Sequence, residues 1–475
     1  MGTVELPGWL AAVIMLLAAL WILERLMIPT ARWLLRRRVN EAIDELNTRL
    51  RLRIQPFKLT RRQSLIDRLT YDQDVVRAAD AHAAEASEPR AVAMARVGSY
   101  AREIVPHFSA YAYFKVGAQI ARWLATALYR VRLGYVDDPA LKAVDPDAAV
   151  VFVINHRSNM DYVLVTYLAA SSSALSYAVG EWARVWLLQS VIRAMGAYFI
   201  RRDSRDPLYR KVLARYVQMA TAEGVTQAVF PEGGLTRDGS LRPPKLGLLS
   251  YMVARFDPGG ERDVVFVPVG INYDRVLEDR NLTASLAKAA GTPHARRGSL
   301  ALIGYVARSL ALKAAGRWYR YVYASVSFGA PLSLAAYTRE HHVDFRKLTD
   351  EQRFAAVEVL GRKLMAEVGR VVPALPVSLV ATVFVRAQGR ELSEIEVKSG
   401  AAALIEELTA KGVHVHVPRA DRDYAVSAGL RMLTLRRLIA ERNGLYAANP
   451  REAVLLRYYA NAIAHHFRDG AEAAP

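Results

Sequence analysis

Within the string Asn155-His156-Arg157-Ser158-Asn159-Met160-Asp161, His156 and Asp161 have the residue types and spacing for acid–base chemistry. The apolar run before them, Ala149 to Ile154, reads as a buried strand, and Asn159 to Ala170 reads as a helix. His156 then sits at the carboxyl end of a strand, with Asp161 in the first turn of the helix that follows. A carboxylate so placed can bond one ring nitrogen, fix the tautomer and stabilise the imidazolium, leaving the other nitrogen to take a proton from a hydroxyl. This is the base and orienter of a triad whose nucleophile comes from the substrate. The same spacing also serves a structural arrangement, with His156 capping a turn and Asp161 paired to Arg157.

Three further segments carry groups that could hold an anionic substrate. Gly196-Ala197-Tyr198-Phe199-Ile200-Arg201-Arg202-Asp203 places two arginines after a short apolar strand, and a guanidinium can grip two phosphate oxygens at once. Phe230-Pro231-Glu232-Gly233-Gly234-Leu235-Thr236-Arg237 continues to Pro243-Pro244-Lys245-Leu246-Gly247. Its glycines let the backbone approach a ligand, Glu232 can accept from a polyol, and Arg237 and Lys245 can neutralise a phosphate. No Gly-Lys-Ser/Thr closes it, so it is not a nucleotide-binding loop. Val267-Pro268-Val269-Gly270-Ile271-Asn272-Tyr273-Asp274-Arg275-Val276 has a proline inside an apolar strand, which predicts a sheet edge or a bulge. Taken singly, each segment also fits a solvated charge cluster, a surface turn or a structural strand.

The elements that position them fall into regions. The spacing predicts helices over 36–135, where Pro56, Pro89 and Pro106 mark breaks. Over 136–345 short β-branched runs alternate with helices: Ser176 to Val179, Ala197 to Ile200, Gln227 to Phe230, Val264 to Val269 and Tyr321 to Phe328 read as further strands. Asp206 and Pro207 are the cap and first residue of a helix that stops at Gly224. The pattern predicts an α/β fold with a largely parallel sheet flanked by helices, whose ligands bind beyond the strands' carboxyl ends. Residues 346–475 return to helix, with a strand-like segment at Val413 to Val417.

Composition bounds the partners. The 475 residues carry a net charge of +18 and no cysteine, which excludes disulfides, thiolate metal sites and a cysteine nucleophile. The excess charge predicts attraction to polyanions. An apolar run from Trp9 to Leu23, extended by Leu26, Met27 and Ile28, predicts a membrane helix within 1–35. Arg32, Arg36, Arg37 and Arg38 follow it, which by the positive-inside rule places the rest of the chain on the cytoplasmic side of the cell (inner) membrane. A helix lying flat in the headgroups is the other arrangement. Anionic lipids are therefore expected partners. Nucleic acid is not expected, since no aromatic-rich RNA-binding string or zinc-finger spacing occurs. His414 with His416, and His465 with His466, lack a third ligand at metal spacing, so no metal is expected.

In this order, the HRSNMDY, FIRRD, PEGG…PPKLG and VPVGINYDRV strings resemble the four blocks of the glycerolipid acyltransferase family. The branch they resemble is that of the bacterial membrane-bound glycerol-3-phosphate acyltransferases and their mitochondrial and peroxisomal relatives. Tyr321 to Leu334 and Tyr458 to His465 resemble later segments of the same branch. The resemblance implies acyl transfer from an acyl thioester, acyl-CoA or acyl carrier protein, to the sn-1 hydroxyl of glycerol 3-phosphate, with no further cofactor. His156 would be the general base and Asp161 its orienter, with oxyanion donors among the backbone N–H groups near His156. Arg157, Arg201, Arg202, Glu232, Gly233, Gly234, Arg237 and Lys245 would place the acceptor, and Pro268 would shape the acyl-donor side. The branch often has arginine where this chain has Leu235, which removes one expected phosphate contact. Dihydroxyacetone phosphate or lysophosphatidate as acceptor, and a non-catalytic protein binding anionic lipid, are the alternatives.

Overall fold

Eight strands form the central sheet: β1 (Arg130–Val136), β2 (Ala149–Ile154), β3 (Ser176–Val179), β4 (Tyr198–Phe199), β5 (Gln227–Val229), β6 (Val264–Tyr273), β7 (Tyr323–Phe328) and β8 (Leu332–Ser333). Their order is β1-β7-β6-β2-β5-β3-β4, with β8 beside β6. From β6 to β4 every neighbour is parallel, while β7 and β8 run antiparallel to β6. The computed structural model describes residues 55–108, 113, 117–169, 175–179, 196–201, 204–292 and 323–467, all within the compact unit Arg53–Pro475. The expected membrane segment and Arg202 lie outside the described residues. Among the described residues no helix is long and apolar enough to cross a membrane.

The continuous apolar runs became central strands because both faces are covered. Every residue of β2 and β6 is buried. The longer described helices before β2 are α1 (Arg62–Thr70), α2 (Gln73–Glu85), α3 (Arg90–Ile104) and α4 (Ala118–Leu128). Then come α5 (Met160–Ala169), α6 (Pro207–Ala222), α7 (Gly247–Val253) and α8 (Asp279–Ala289). Leu65, Leu69, Val75, Val97 and Ile104 of α1–α3 share one core with Tyr209, Val212 and Val217 of α6 and with Val151, Val153 and Phe266 of the sheet. The N-terminal helices are thus part of the wall of the α/β body. Asp206 caps α6 as its sequence predicts, accepting from the N–H groups of Leu208 at 2.9 Å and Tyr209 at 3.1 Å.

Three expectations are corrected. The sheet begins at Arg130 rather than after Val136, because the Arg130–Val136 segment pairs in parallel with β7. Val413 to Val417 is no strand: a single bridge joins Val415 to Ala374. Pro268 lies at neither an edge nor a bulge; it stands opposite Val153 inside the sheet. On the other side of β6, pairing with β8 ends at Phe266 and pairing with β7 begins at Val269. The Pro268 carbonyl accepts from Gly329 N–H at 2.8 Å, so its donorless nitrogen faces the gap between those two partners. No ladder bond is lost there.

The C-terminal region comprises α9 (Asp350–Val371), α10 (Pro376–Arg386), α11 (Glu394–Ala410), α12 (Arg422–Leu435) and α13 (Ala453–Asn461). A small antiparallel sheet of β9 (Leu392–Ser393), β10 (Ile439–Arg442) and β11 (Leu445–Ala448) accompanies them. Asn443 and Gly444 both have positive φ, the geometry of a two-residue hairpin turn.

Candidate active site

The parallel register brings the chemistry-bearing segments to one edge. Val153 of β2 lies beside Val229 of β5 and Pro268 of β6, so the residues after these strands emerge side by side. Asn155 continues the ladder with its side chain: its amide donates to Ile271 O at 2.9 Å and accepts from Ile271 N at 2.7 Å. That bond pair sets the exit direction of the chain into His156.

The His156 ring is buried, with Nδ1 2.9 Å from Asp161 Oδ2. Its faces and edges meet Phe230, centroid to centroid 4.4 Å, and Tyr162 at 5.5 Å in edge contact. Nε2 has no hydrogen-bond partner among the described residues. Asp161 Oδ2 also accepts from the N–H groups of Arg157 at 2.7 Å and Ser158 at 3.0 Å, while Oδ1 accepts from the Tyr273 hydroxyl at 2.5 Å. The carboxylate is fully enclosed and fully bonded, so the imidazole has one orientation available. Tyr273 is itself buried, and burial with the neighbouring Asp161 charge holds its phenol well above the usual range. It remains a donor.

A second carboxylate holds the backbone of the same loop. Glu232 Oε1 accepts from His156 N–H at 2.9 Å, and Thr236 N–H donates to His156 O at 3.0 Å. Burial pushes the Glu232 carboxyl up to about 8, against the pull of the His156 N–H and the Arg157 charge. Glu278 accepts from Ser158 Oγ at 3.1 Å and Asn159 N–H at 2.7 Å, fastening the start of α5, and burial raises its carboxyl too. The N–H groups of residues 156–159 are therefore all engaged within the protein, which corrects the expectation that they serve an oxyanion. Gly234 N–H makes no hydrogen bond among the described residues.

A cavity of about 290 Å³ opens at this edge. It brings together His156, Arg201, Gly233, Gly234 and Lys245, with Tyr162, Tyr209, Arg210, Phe230, Tyr251 and apolar side chains such as Ile200, Leu213 and Leu248. Gly233 has φ +67, and a β-carbon there would run into the Lys245 side chain, so glycine is needed for the turn that passes the lysine stem. Arg201 reaches the cavity already paired: Nε and Nη2 donate to Glu103 of α3 at 3.1 and 2.6 Å. Its guanidinium also lies 5.1 Å from the Tyr100 ring and 5.0 Å from the Tyr209 ring, and Tyr209 Oη accepts from Arg201 N–H at 3.0 Å.

Other expected ligands are placed elsewhere. Asp161 and Glu232 lie behind the His156 loop. Arg157 is buried in a seam against α13, where Nη1 donates to Gly239 O at 2.9 Å and the guanidinium lies 5.4 Å from the Tyr458 ring. Arg237 is exposed and lines no part of the cavity, because the turn after Gly233 carries it outward. Pro268 is held within the sheet. Tyr273, Glu278, Glu103 and Arg210 were missed by sequence reasoning. Tyr273 and Asp274 did lie in a segment singled out for its proline, and Asp274 ties that segment to α10 by accepting from Val377 N–H at 3.0 Å. Burial raises the Asp274 carboxyl to about 7.

Residues 139–272 match the acyltransferase family, and residues 311–474 match the glycerol-3-phosphate acyltransferase C-terminal region. A glycerol-3-phosphate acyltransferase of Aeromonas hydrophila is 26% identical over 385 residues, covering 79% of this chain and 46% of that protein. One from Alteromonas mediterranea is 28% identical over 336 residues, 67% of this chain and 39% of that protein. One from Pseudomonas entomophila is 26% identical over 422 residues, 86% of this chain and 49% of that protein. The chain thus spans less than half the length of these curated relatives. The resemblance read from the four segments is borne out, and the mixed α/β fold with a largely parallel sheet agrees with it.

Proposed function

We propose that this protein transfers an acyl group from an acyl thioester to the sn-1 hydroxyl of glycerol 3-phosphate, giving lysophosphatidic acid. The observation that carries the reading is the buried His156–Asp161 pair at the mouth of a cavity that is both cationic and apolar. His156 Nε2, free of protein partners among the described residues, takes the proton of the acceptor hydroxyl as its oxygen attacks the thioester carbonyl. Asp161 holds the Nδ1 side and stabilises the imidazolium. The tetrahedral intermediate collapses with cleavage of the C–S bond, and the imidazolium returns its proton to the leaving thiolate. Gly234 lines the cavity, and its N–H, with no hydrogen bond among the described residues, is a donor for the oxyanion. The apolar side chains around the cavity suit an acyl chain, and the cations suit a phosphate.

No cofactor beyond the thioester enters this reading, and acyl-CoA and acyl carrier protein are both admitted as donors. The basic segment following the apolar N-terminal run supports work at the cytoplasmic face of a membrane rich in anionic lipid. The test is an acyl-transfer assay of wild type and His156→Ala with glycerol 3-phosphate and each donor class. The wild type should form lysophosphatidate, and the variant should lose about three orders of magnitude or more of kcat. Full activity in His156→Ala removes the reading.

A further inference from the structure

The cavity contains three cations, supplied by different elements: Arg201 after β4, Arg210 in the first turns of α6, and Lys245 before α7. They are not equivalent. The Arg201 charge is met by Glu103 in a two-pronged pair. Arg210 makes no ion pair with a carboxylate among the described residues, and its side chain is exposed at the cavity. Its charge reaches Tyr251 of the neighbouring helix α7, where it pulls against the upward push of burial on that phenol. Arg210 of α6 and Tyr251 of α7 both line the cavity in front of His156. Of the residues expected to bind phosphate from their motifs, Arg201 and Lys245 share this cavity, and Arg202 lies outside the described residues. Arg157 is buried in the α13 seam, Arg237 points outside the cavity, and position 235 is leucine.

We infer that Arg210 is a phosphate-binding residue for the acceptor, supplying the cation that the Gly-rich segment lacks at Leu235. This deepens the proposed function and rests on it. A guanidinium with no carboxylate partner among the described residues, at the mouth of a partly apolar cavity, can take two oxygens of a phosphomonoester. That would anchor one end of glycerol 3-phosphate while its hydroxyl end faces His156. Lysine at the same position would keep the charge but lose the second donor.

The experiment uses the full chain and the variants Arg210→Gln and Arg210→Lys. With the acyl donor saturating, Arg210→Gln should raise KM for glycerol 3-phosphate by about tenfold or more, with kcat and the donor KM changed less than about threefold. Arg210→Lys should fall in between. The preference for glycerol 3-phosphate over uncharged glycerol, as a ratio of kcat/KM, should fall by the same factor, which a merely structural role would not produce. In parallel, without turnover, the rise in Tm given by inorganic phosphate should be present in wild type and lost in Arg210→Gln. An unchanged KM and an unchanged phosphate-induced shift in Arg210→Gln overturn the inference while leaving the acyltransferase reading intact. A wild type inactive on every acceptor, with the phosphate shift still lost in Arg210→Gln, overturns the acyltransferase reading and leaves the anion site.

Discussion

Tyr273, the last residue of β6, donates its hydroxyl to Asp161 Oδ1 at 2.5 Å, so the orienting carboxylate of the histidine pair is anchored to a strand 112 residues further along the chain. The phenol lies against the Tyr129 ring, with centroids 5.2 Å apart, and is closed off from solvent. Tyr273→Phe removes one oxygen and leaves the ring packing. The remaining three bonds to Oδ2 keep Asp161 in place less rigidly and leave Oδ1 buried without a donor. Stability should fall by about 1–3 kcal/mol. kcat should fall roughly tenfold with KM for either substrate little changed, because the loss acts on the base and not on binding. Steady-state kinetics alongside urea unfolding decide it, and a change confined to KM would contradict this role for Tyr273.

Glu232 predicts a pH dependence of stability. Its folded carboxyl titrates at about 8, against an ordinary value of 4.5, because burial disfavours the charge. Between these values the unfolded chain has released the proton and the folded chain has kept it. Stability therefore falls as pH rises from about 4.5 to about 8 and levels off above. Glu232→Gln keeps an oxygen that can accept from His156 N–H and removes the titration. The wild type should lose ground to this variant by up to about 1.4 kcal/mol per pH unit across that window. Unfolding midpoints of both proteins over the same pH range give the comparison; parallel curves would show that Glu232 stays charged.

What was legible and what was not divides by sequence distance and by burial. The runs at Ala149–Ile154 and Val264–Val269 were legible as strands because both faces are covered and no polar alternation is required, and the second continues to Tyr273. Their parallel register then brought segments from four places to one edge. β1, reading Arg-Val-Arg-Leu-Gly-Tyr-Val, hid within a helical stretch because an edge strand needs little apolar content. The bonds that hold the site link distant residues: Asp161 with Tyr273, His156 with Glu232, Arg201 with Glu103. No local pattern announces such partners. The direction of an arginine is equally invisible, and of Arg157, Arg201 and Arg237 only Arg201 faces the cavity. The Asn443-Gly444 turn was legible in principle, being a strong two-residue hairpin signal, and it sits in a region read as helical apart from Val413 to Val417.

Glu103 gives the N-terminal helices a definite part in the site. It takes Nε and Nη2 of Arg201, holding that charge at the rear of the cavity. Glu103→Gln would leave the guanidinium charge unopposed while the rings of Tyr100 and Tyr209 still flank it. The affinity of the cavity for anions should then rise, seen as a roughly three- to tenfold lower Ki for inorganic phosphate against glycerol 3-phosphate. A higher Ki would mean that Glu103 is needed to aim Arg201 at the substrate.

Gly239 joins the two motif loops to the C-terminal region. Its φ is +88, and an added β-carbon would run into the carbonyl of Tyr458 in α13. Its own carbonyl takes the Arg157 guanidinium at 2.9 Å, and its N–H donates to Thr236 Oγ1 at 3.1 Å. Asn461 of α13 donates to Asp238 O at 2.9 Å beside it. Gly239→Ala must therefore both adopt a left-handed backbone and push α13 away from the loop that follows Glu232. A cost of about 2–4 kcal/mol is expected, together with lost activity as Arg157 and the His156 loop shift. Gly412 has φ +74 and nothing within 4 Å of where a β-carbon would stand, so Gly412→Ala isolates the backbone strain alone, about 1–2 kcal/mol. Chemical denaturation of the two variants separates the terms. Equal losses would mean that contact with Tyr458 contributes nothing, and an active Gly239→Ala protein would show that α13 can leave this seam without disturbing His156.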